Sequence, residues 1–272
     1  MTTATASAHS TPRSSRFSRT IALARAELTQ FLRNPTLLFM ALLFPLGLTV
    51  AMFVLSSTSG GKVFAASLAL ETSVLMTMLL VVYYSVLSMS TTRRDEKVLK
   101  RLRTGEAKDS DILVAIAAPS SLLAVVLMVL APILLIVLGA PAPVNVVPLF
   151  VAVLGGIAVS SALGFLTSAF TTNAEAAQIT SLPVMILAIA SQSTFRALMP
   201  EQVTRIIDRT PFALMGDLAH LAWSGTTVTG GFEPLDTGAA LAAATAPMLM
   251  LALWAVALLV LVPRVMKWES NR

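Results

Sequence analysis

Glu71 is the one acidic or basic residue between Lys62 and Arg93. Acid–base chemistry would need a second carboxylate or a base beside it, and nucleophilic chemistry a Ser, Cys or Lys activated by such a neighbour. Neither stands near it in the sequence. The two histidines, His9 and His220, are far apart in the chain, so no metalloprotease pattern or His-based triad can be assembled from them. No G-x-S-x-G elbow occurs, and Gly60-Gly61-Lys62 lacks both the first glycine and the hydroxyl residue of a phosphate-binding loop. There is no cysteine, hence no disulfide and no thiolate metal site. Catalytic, metal-binding and cofactor-binding residues are therefore expected to be none, and the chain is not read as an enzyme. Glu71 itself, about 20 residues from Thr92, is placed near one end of a helix, as a boundary residue close to water in preference to a substrate gate.

The densest chemistry lies in residues 93–106, Arg93-Arg94-Asp95-Glu96-Lys97-Val98-Leu99-Lys100-Arg101-Leu102-Arg103-Thr104-Gly105-Glu106. As a helix this run sets Val98 and Leu102 one turn apart with Leu99 beside them, and Gly105 ends it. Two readings stay open on the residues alone. One is a solvated charge run at a membrane surface; the other is a short helix whose narrow apolar stripe docks in a groove of a partner.

The elements that would position these residues are apolar. The chain has 272 residues, 56% of them hydrophobic and 12% charged, about half the charge of an ordinary soluble domain. Residues 34–61, 72–92, 112–174, 176–195 and 237–263 contain no Asp, Glu, Lys or Arg. A span needs about 20 apolar residues to cross about 30 Å of hydrocarbon. The longest run is divided by Gly139-Ala140-Pro141-Ala142-Pro143, giving six expected spans at about 36–55, 67–90, 112–138, 148–170, 179–198 and 238–262. Pro45 is expected to kink the first. Residues 1–20, rich in Ser, Thr and Ala, read as a disordered tail, and no apolar h-region follows them within signal-peptide range. Residues 21–272 read as a single transmembrane domain that opens with an amphipathic surface helix over 21–32. The expected fold class is thus all-α integral membrane.

An even number of spans puts both termini on one side. Lys and Arg number fifteen on the side holding the termini and residues 93–111, against four on the other. By the positive-inside rule both termini and that segment are cytoplasmic, and the +5 net charge is a membrane-topology signal and no sign of nucleic-acid binding. On the outer side, Thr210-Pro211 starts a helix, Leu214 or Met215, Leu218 and Leu221 recur at helical spacing, and Ser224-Gly225 ends it. It is expected to lie at the outer surface, covering span ends or gating an exit path. Gly156, Ser160, Gly164 and Ser168 recur every four residues on the fourth span, where close helix packing within one protomer is preferred to a dimer seam.

Several motifs taken in order resemble the type-2 ABC transporter permeases. Ala26-Glu27-Leu28, Phe31-Leu32-Arg33-Asn34-Pro35 and Phe44-Pro45 are similar to that family's leading helix and first span. The Arg93–Arg103 run is similar to its cytoplasmic "R-R-E-x-G-T-L-K-R-L-R" signature. Asn173-Ala174-Glu175-Ala176-Ala177-Gln178 resembles its turn before the fifth span, and Lys267-Trp268-Glu269 its C-terminal ending. The resemblance runs from about residue 22 to residue 269. It implies a coupling helix between the second and third spans, seated on a separate cytoplasmic ATP-binding cassette subunit, with Glu96, Leu99, Lys100, Arg101, Leu102, Arg103 and Thr104 at the contact. A minor contact maps to residues 171–178, and the helix after Thr210 is similar to the family's re-entrant outer helices.

The same resemblance implies a multi-pass protein of a bacterial cell membrane that works with a second permease copy, identical or not, in lipid. It would export a hydrophobic drug, antibiotic or lipid-like compound, with ATP held by the partner and no cofactor on this chain. An ATP-independent transporter or self-immunity protein is the alternative. The sequence departs from the family pattern at Gln192, where Gly is frequent, at His220, near a frequent Arg, and at Lys97-Val98, which replace Gly-Thr. Substrate-binding residues stay unknown at this level.

Overall fold

The structure is a computed structural model that describes residue 29 and residues 39–96, 108–226, 235–266 and 268. The expected tail over 1–20, all but Thr29 of the surface helix over 21–32, and the coupling residues Leu99, Lys100, Arg101, Leu102, Arg103 and Thr104 lie outside the described residues. Every regular element among the described residues is helical.

A π-helical turn, Phe39–Leu43, leads into α1, Phe44–Asp95. Pro45 falls in the first α-helical turn, where a missing N–H costs nothing, so the irregularity sits before the proline. At 52 residues α1 is long enough to cross a bilayer twice. It holds the first two expected spans, separated by one non-helical residue, Gly61, at φ 76° and ψ 165°, a conformation open to glycine. Residues 44–60 form its first arm and residues 62–95 its second. The π-helical turn at 39–43 packs beside a second π-helical stretch, Thr77–Tyr84, so the two arms fold back on each other about Gly61.

The remaining elements are α2, Asp109–Val137; α3, Val146–Phe170; α4, Ala176–Ala190; the short α5, Ser193–Arg196, and α6, Glu201–Ile207; α7, Pro211–Ser224; and α8, Thr237–Val265. Asn145 caps α3 by accepting from Val147 N at 2.9 Å, and Asp236 caps α8 by accepting from Ala239 N at 2.7 Å. Four helices, α1, α2, α3 and α8, are long and apolar enough to cross a membrane. The fifth expected span is shorter. In α4 the proton-less nitrogen of Pro183 coincides with an interruption at Ser181, and Gln192 turns the chain out of helix at ψ 138°.

Burial identifies the centre. In α1 89% of the most apolar window is buried, against 33%, 50% and 22% in α2, α3 and α8. The second arm of α1 packs on α2, α3 and α7, while α8 packs on α3 and α7. Leucines, valines and isoleucines exposed on α2, α3, α4 and α8 form the outward surface expected of helices solvated by lipid. The small-residue row of α3 is used inside the protomer: a Cβ on Gly156 would meet Met78 and Met215 sulfurs at 3.0 Å, and one on Gly164 would lie 2.8 Å from Tyr83 O. The preference for intraprotomer packing therefore holds at both glycines.

The helix expected after Thr210 is present as α7, with Thr210 and Pro211 at its start and Gly225, at φ 66°, at its end. Its surroundings differ from expectation. Every residue from Pro211 to Ser224 is buried except Asp217, which is half-buried. An apolar spacing shows that a helix has two faces, but in a bundle solvated by lipid the polar face turns inward. The Thr210 side chain also declines the usual cap role, donating to Ile207 O at 2.7 Å and pairing with Ser191 Oγ at 3.1 Å.

Candidate functional site

The polar face of α7 meets the second arm of α1 at Glu71. This carboxylate is wholly buried, which corrects its reading as a boundary residue close to water. The helical distance to Asp95, about 35 Å, still puts it toward the end of the arm opposite the charged run. What removes it from solvent is α7 together with the break after α4. Glu71 Oε1 accepts from Ser193 N at 2.6 Å, and Oε2 accepts from Ser193 Oγ and lies 2.9 Å from His220 Nε2. The next residue, Thr72, accepts from Gln192 Nε2 at 2.9 Å while donating its own proton to Leu68 O. Two neighbouring residues of one helix thus hold the two residues at which the fifth hydrophobic stretch breaks.

A second link leaves α5. Arg196, 3% exposed, donates from Nη1 to Asp208 at 2.8 Å and from Nη1 and Nη2 to Asp217. Asp217 and His220 are three residues apart on α7, so both links end on that helix's inward face. The result is a closed ring: Glu71 to Ser193, along α5 to Arg196, across to Asp217, along α7 to His220, and back to Glu71. Gly216 makes the approach possible, since a Cβ there would stand 3.0 Å from Glu71 Oε1. The far end of α7 is clamped by the connection between α2 and α3, where Asn145 N and Val144 N donate to Ala222 O and Trp223 O at 3.0 and 3.3 Å.

At the other end of α1, Arg94 is buried and binds the C-terminus of α3. Its Nη1 donates to Ser168 O at 2.7 Å and its Nη2 to Thr171 O. A guanidinium there satisfies carbonyls left open by the helix end and complements its dipole. The turn at 171–178, expected to make the minor contact, is ordered by Asn173 Oδ1, which accepts from Ala176 N at 2.7 Å. Glu96, the one described residue of the expected coupling contact, ends α1 as an exposed C-cap.

The ring is built to hold helices together. Every oxygen of Glu71 is engaged, and no nucleophile with its base stands open beside it. The sequence singled out Glu71, Gln192 and His220 separately; it missed Ser193, Arg196, Asp217 and Gly216, for which the only signal was ionisable residues flanking apolar runs.

The matched family accounts for this arrangement. The model for ABC-2 family transporter proteins matches residues 63–262. This chain belongs to the ABC-2 transporter family. The match opens at the start of α1's second arm and closes near the end of α8, so it takes in the whole ring. No curated protein matches the chain. As an ABC-2 permease the chain is the membrane-spanning transport subunit of an ABC transporter, a family that implies an ATP-binding subunit as partner.

Proposed function

We propose that this permease exports a hydrophobic small molecule, a drug, antibiotic or lipid-like compound, across the cell membrane, using ATP hydrolysed by a separate nucleotide-binding subunit and pairing with a second permease copy. Both termini and residues 93–111 would face the cytoplasm, as the Lys and Arg distribution indicates. The observation that carries the reading is the second arm of α1. It is the most buried of the long helices, runs directly into the charged segment at Asp95, and holds Glu71 at its other end. A stiff helix of this kind passes a push on the coupling segment to the ring that binds α5 and α7. Arg94 passes the same push to α3. The spans supply almost no charge, which suits an apolar cargo better than a polyanion.

The test is to co-express the chain with the ATPase encoded beside it and compare wild type with Leu99→Asp/Leu102→Asp for co-purification and vesicle ATPase activity. Loss of the ATPase from a variant that still inserts supports the coupling contact. Undiminished binding places the contact elsewhere, and cargo moved by the chain alone on an ion gradient would replace the reading with that of an ATP-independent transporter.

A further inference from the structure

The ring carries an unbalanced charge that the transport reading does not use. Glu71 faces no other Asp, Glu, Lys, Arg or His on its own arm, since none occurs between Lys62 and Arg93. From α5 it faces Arg196, and from α7 Asp217 and His220; Asp208, after α6, joins through Arg196 with its side chain 30% exposed. The first arm of α1, α3 and α4 bring no such residue, and those of α2 and α8 lie at their far ends: Asp109 and Asp111 in the first turn of α2, Arg264 in the last turn of α8. Glu201 and Arg205 pair with each other on the surface. With His220 neutral, two enclosed carboxylates, Glu71 and Asp217, share one cation, Arg196. With His220 protonated the ring resolves into two ion pairs, His220 with Glu71 and Arg196 with Asp217. An uncompensated charge in a low-dielectric interior is costly, and imidazole is the side chain whose ordinary titration falls between about pH 5 and 8.

We propose that Glu71 and His220 form a proton-operated latch, closed while His220 carries its proton and released when it is lost, so that α7 and the α4–α5 break loosen as pH rises on the side of the membrane where the ring lies. The latch is a regulatory layer on the ring and rests on the transport reading for its purpose, but its opening is a property of this chain alone. The sign follows from the charges. Protonation of His220 favours the closed ring, so closure is complete at the acidic end of that range and fades toward the alkaline end. Glu71 and His220 act here as positioning residues: they hold α7 and Ser193 against α1, and neither contacts cargo by this argument.

The chain has no cysteine, so a single introduced thiol reports on one place. Ser191 is buried beside the ring, and Thr58 is exposed near the Gly61 turn. The full chain in lipid nanodiscs would carry Ser191→Cys and be labelled with a maleimide from pH 5.5 to 8.5, with Thr58→Cys measuring the thiol's own pH dependence. The expected result is a rise at position 191, relative to position 58, of about tenfold across the range, the size of one unit of proton linkage. Adding His220→Gln or, separately, Glu71→Gln should flatten that ratio. A flat ratio in the Ser191→Cys parent overturns the latch without reference to any variant's folding. An unchanged slope in either double variant, shown monodisperse by size exclusion, overturns it as well. Since no ATPase is present, failure here leaves the coupling test untouched, and failure of the coupling test leaves this one standing.

Discussion

Gly216 and Glu71 stand so close that a Cβ on the glycine would lie 3.0 Å from the Glu71 carboxylate oxygen and 3.2 Å from its Cγ. Glu71 cannot swing aside, because Ser193 N and His220 Nε2 hold its two oxygens. Gly216→Ala must therefore push α7 away from the second arm of α1. The expected cost is about 1–3 kcal/mol, as for other overpacked interiors, read as a lower unfolding midpoint in nanodiscs. Labelling of Ser191→Cys should rise at every pH in this variant. Gly47→Ala, where a Cβ meets nothing within 4 Å, is the control and should leave both readings near wild type.

The pair Arg196–Asp217 separates mechanical closure from charge. Removing Arg196 alone leaves Asp217 enclosed without a cation, and Arg196→Ala is expected to cost about 3–5 kcal/mol. Replacing both, Arg196→Met with Asp217→Leu, removes the stranded charge and should recover much of that loss in the unfolding midpoint. Asp208, part-exposed, can turn to water when its partner is gone. A double variant as unstable as Arg196→Ala would show that packing around the guanidinium, and not its charge, holds α5 to α7.

Much of the architecture was legible because membrane solvation imposes a coarse pattern. Charge-free runs of sufficient length gave helices at 109–137, 146–170 and 237–265 to within a few residues of expectation. Thr210-Pro211 and Ser224-Gly225 gave the ends of α7 directly. Depth and facing were not legible. Periodicity places Leu214, Leu218 and Leu221 on one side of α7 but cannot say whether that side meets water, lipid or protein. Glu71 could not be paired from sequence because its partners Ser193 and His220 lie 122 and 149 residues away. The two departures from the family pattern, Gln192 and His220, turned out to be the residues touching Thr72 and Glu71. The break of α4 was foreshadowed only by Pro183, which a membrane helix can equally absorb.

Gly225 tests the end of α7 on its own. Its φ of 66° and a Cβ position 2.7 Å from Leu235 O leave no room for a side chain. Gly225→Ala should be strained by both terms, lowering the unfolding midpoint by the equivalent of more than about 1 kcal/mol. Asn at this position tolerates the left-handed conformation but not the contact, so Gly225→Asn should recover little. Full recovery with Asn would show that dihedral strain alone matters there.

Arg94 joins the two ends of the mechanism. Its guanidinium reaches Ser168 O and Thr171 O at once, tying the exit of α1 to the end of α3 immediately before the 171–178 turn. Two charged hydrogen bonds to otherwise open carbonyls are each worth about 1.5–3 kcal/mol. Arg94→Lys keeps the charge but offers a point donor in place of a planar fork, and should retain one contact. The unfolding midpoint should therefore fall in the order wild type, Arg94→Lys, Arg94→Ala. Transport separates a mechanical role from a structural one. If the link carries motion, cargo export per ATP hydrolysed by the reconstituted complex falls in Arg94→Lys even at a temperature where its folding is intact. If export per ATP is unchanged while stability drops, Arg94 is a helix cap, and motion reaches α3 through the glycine contacts at 156 and 164.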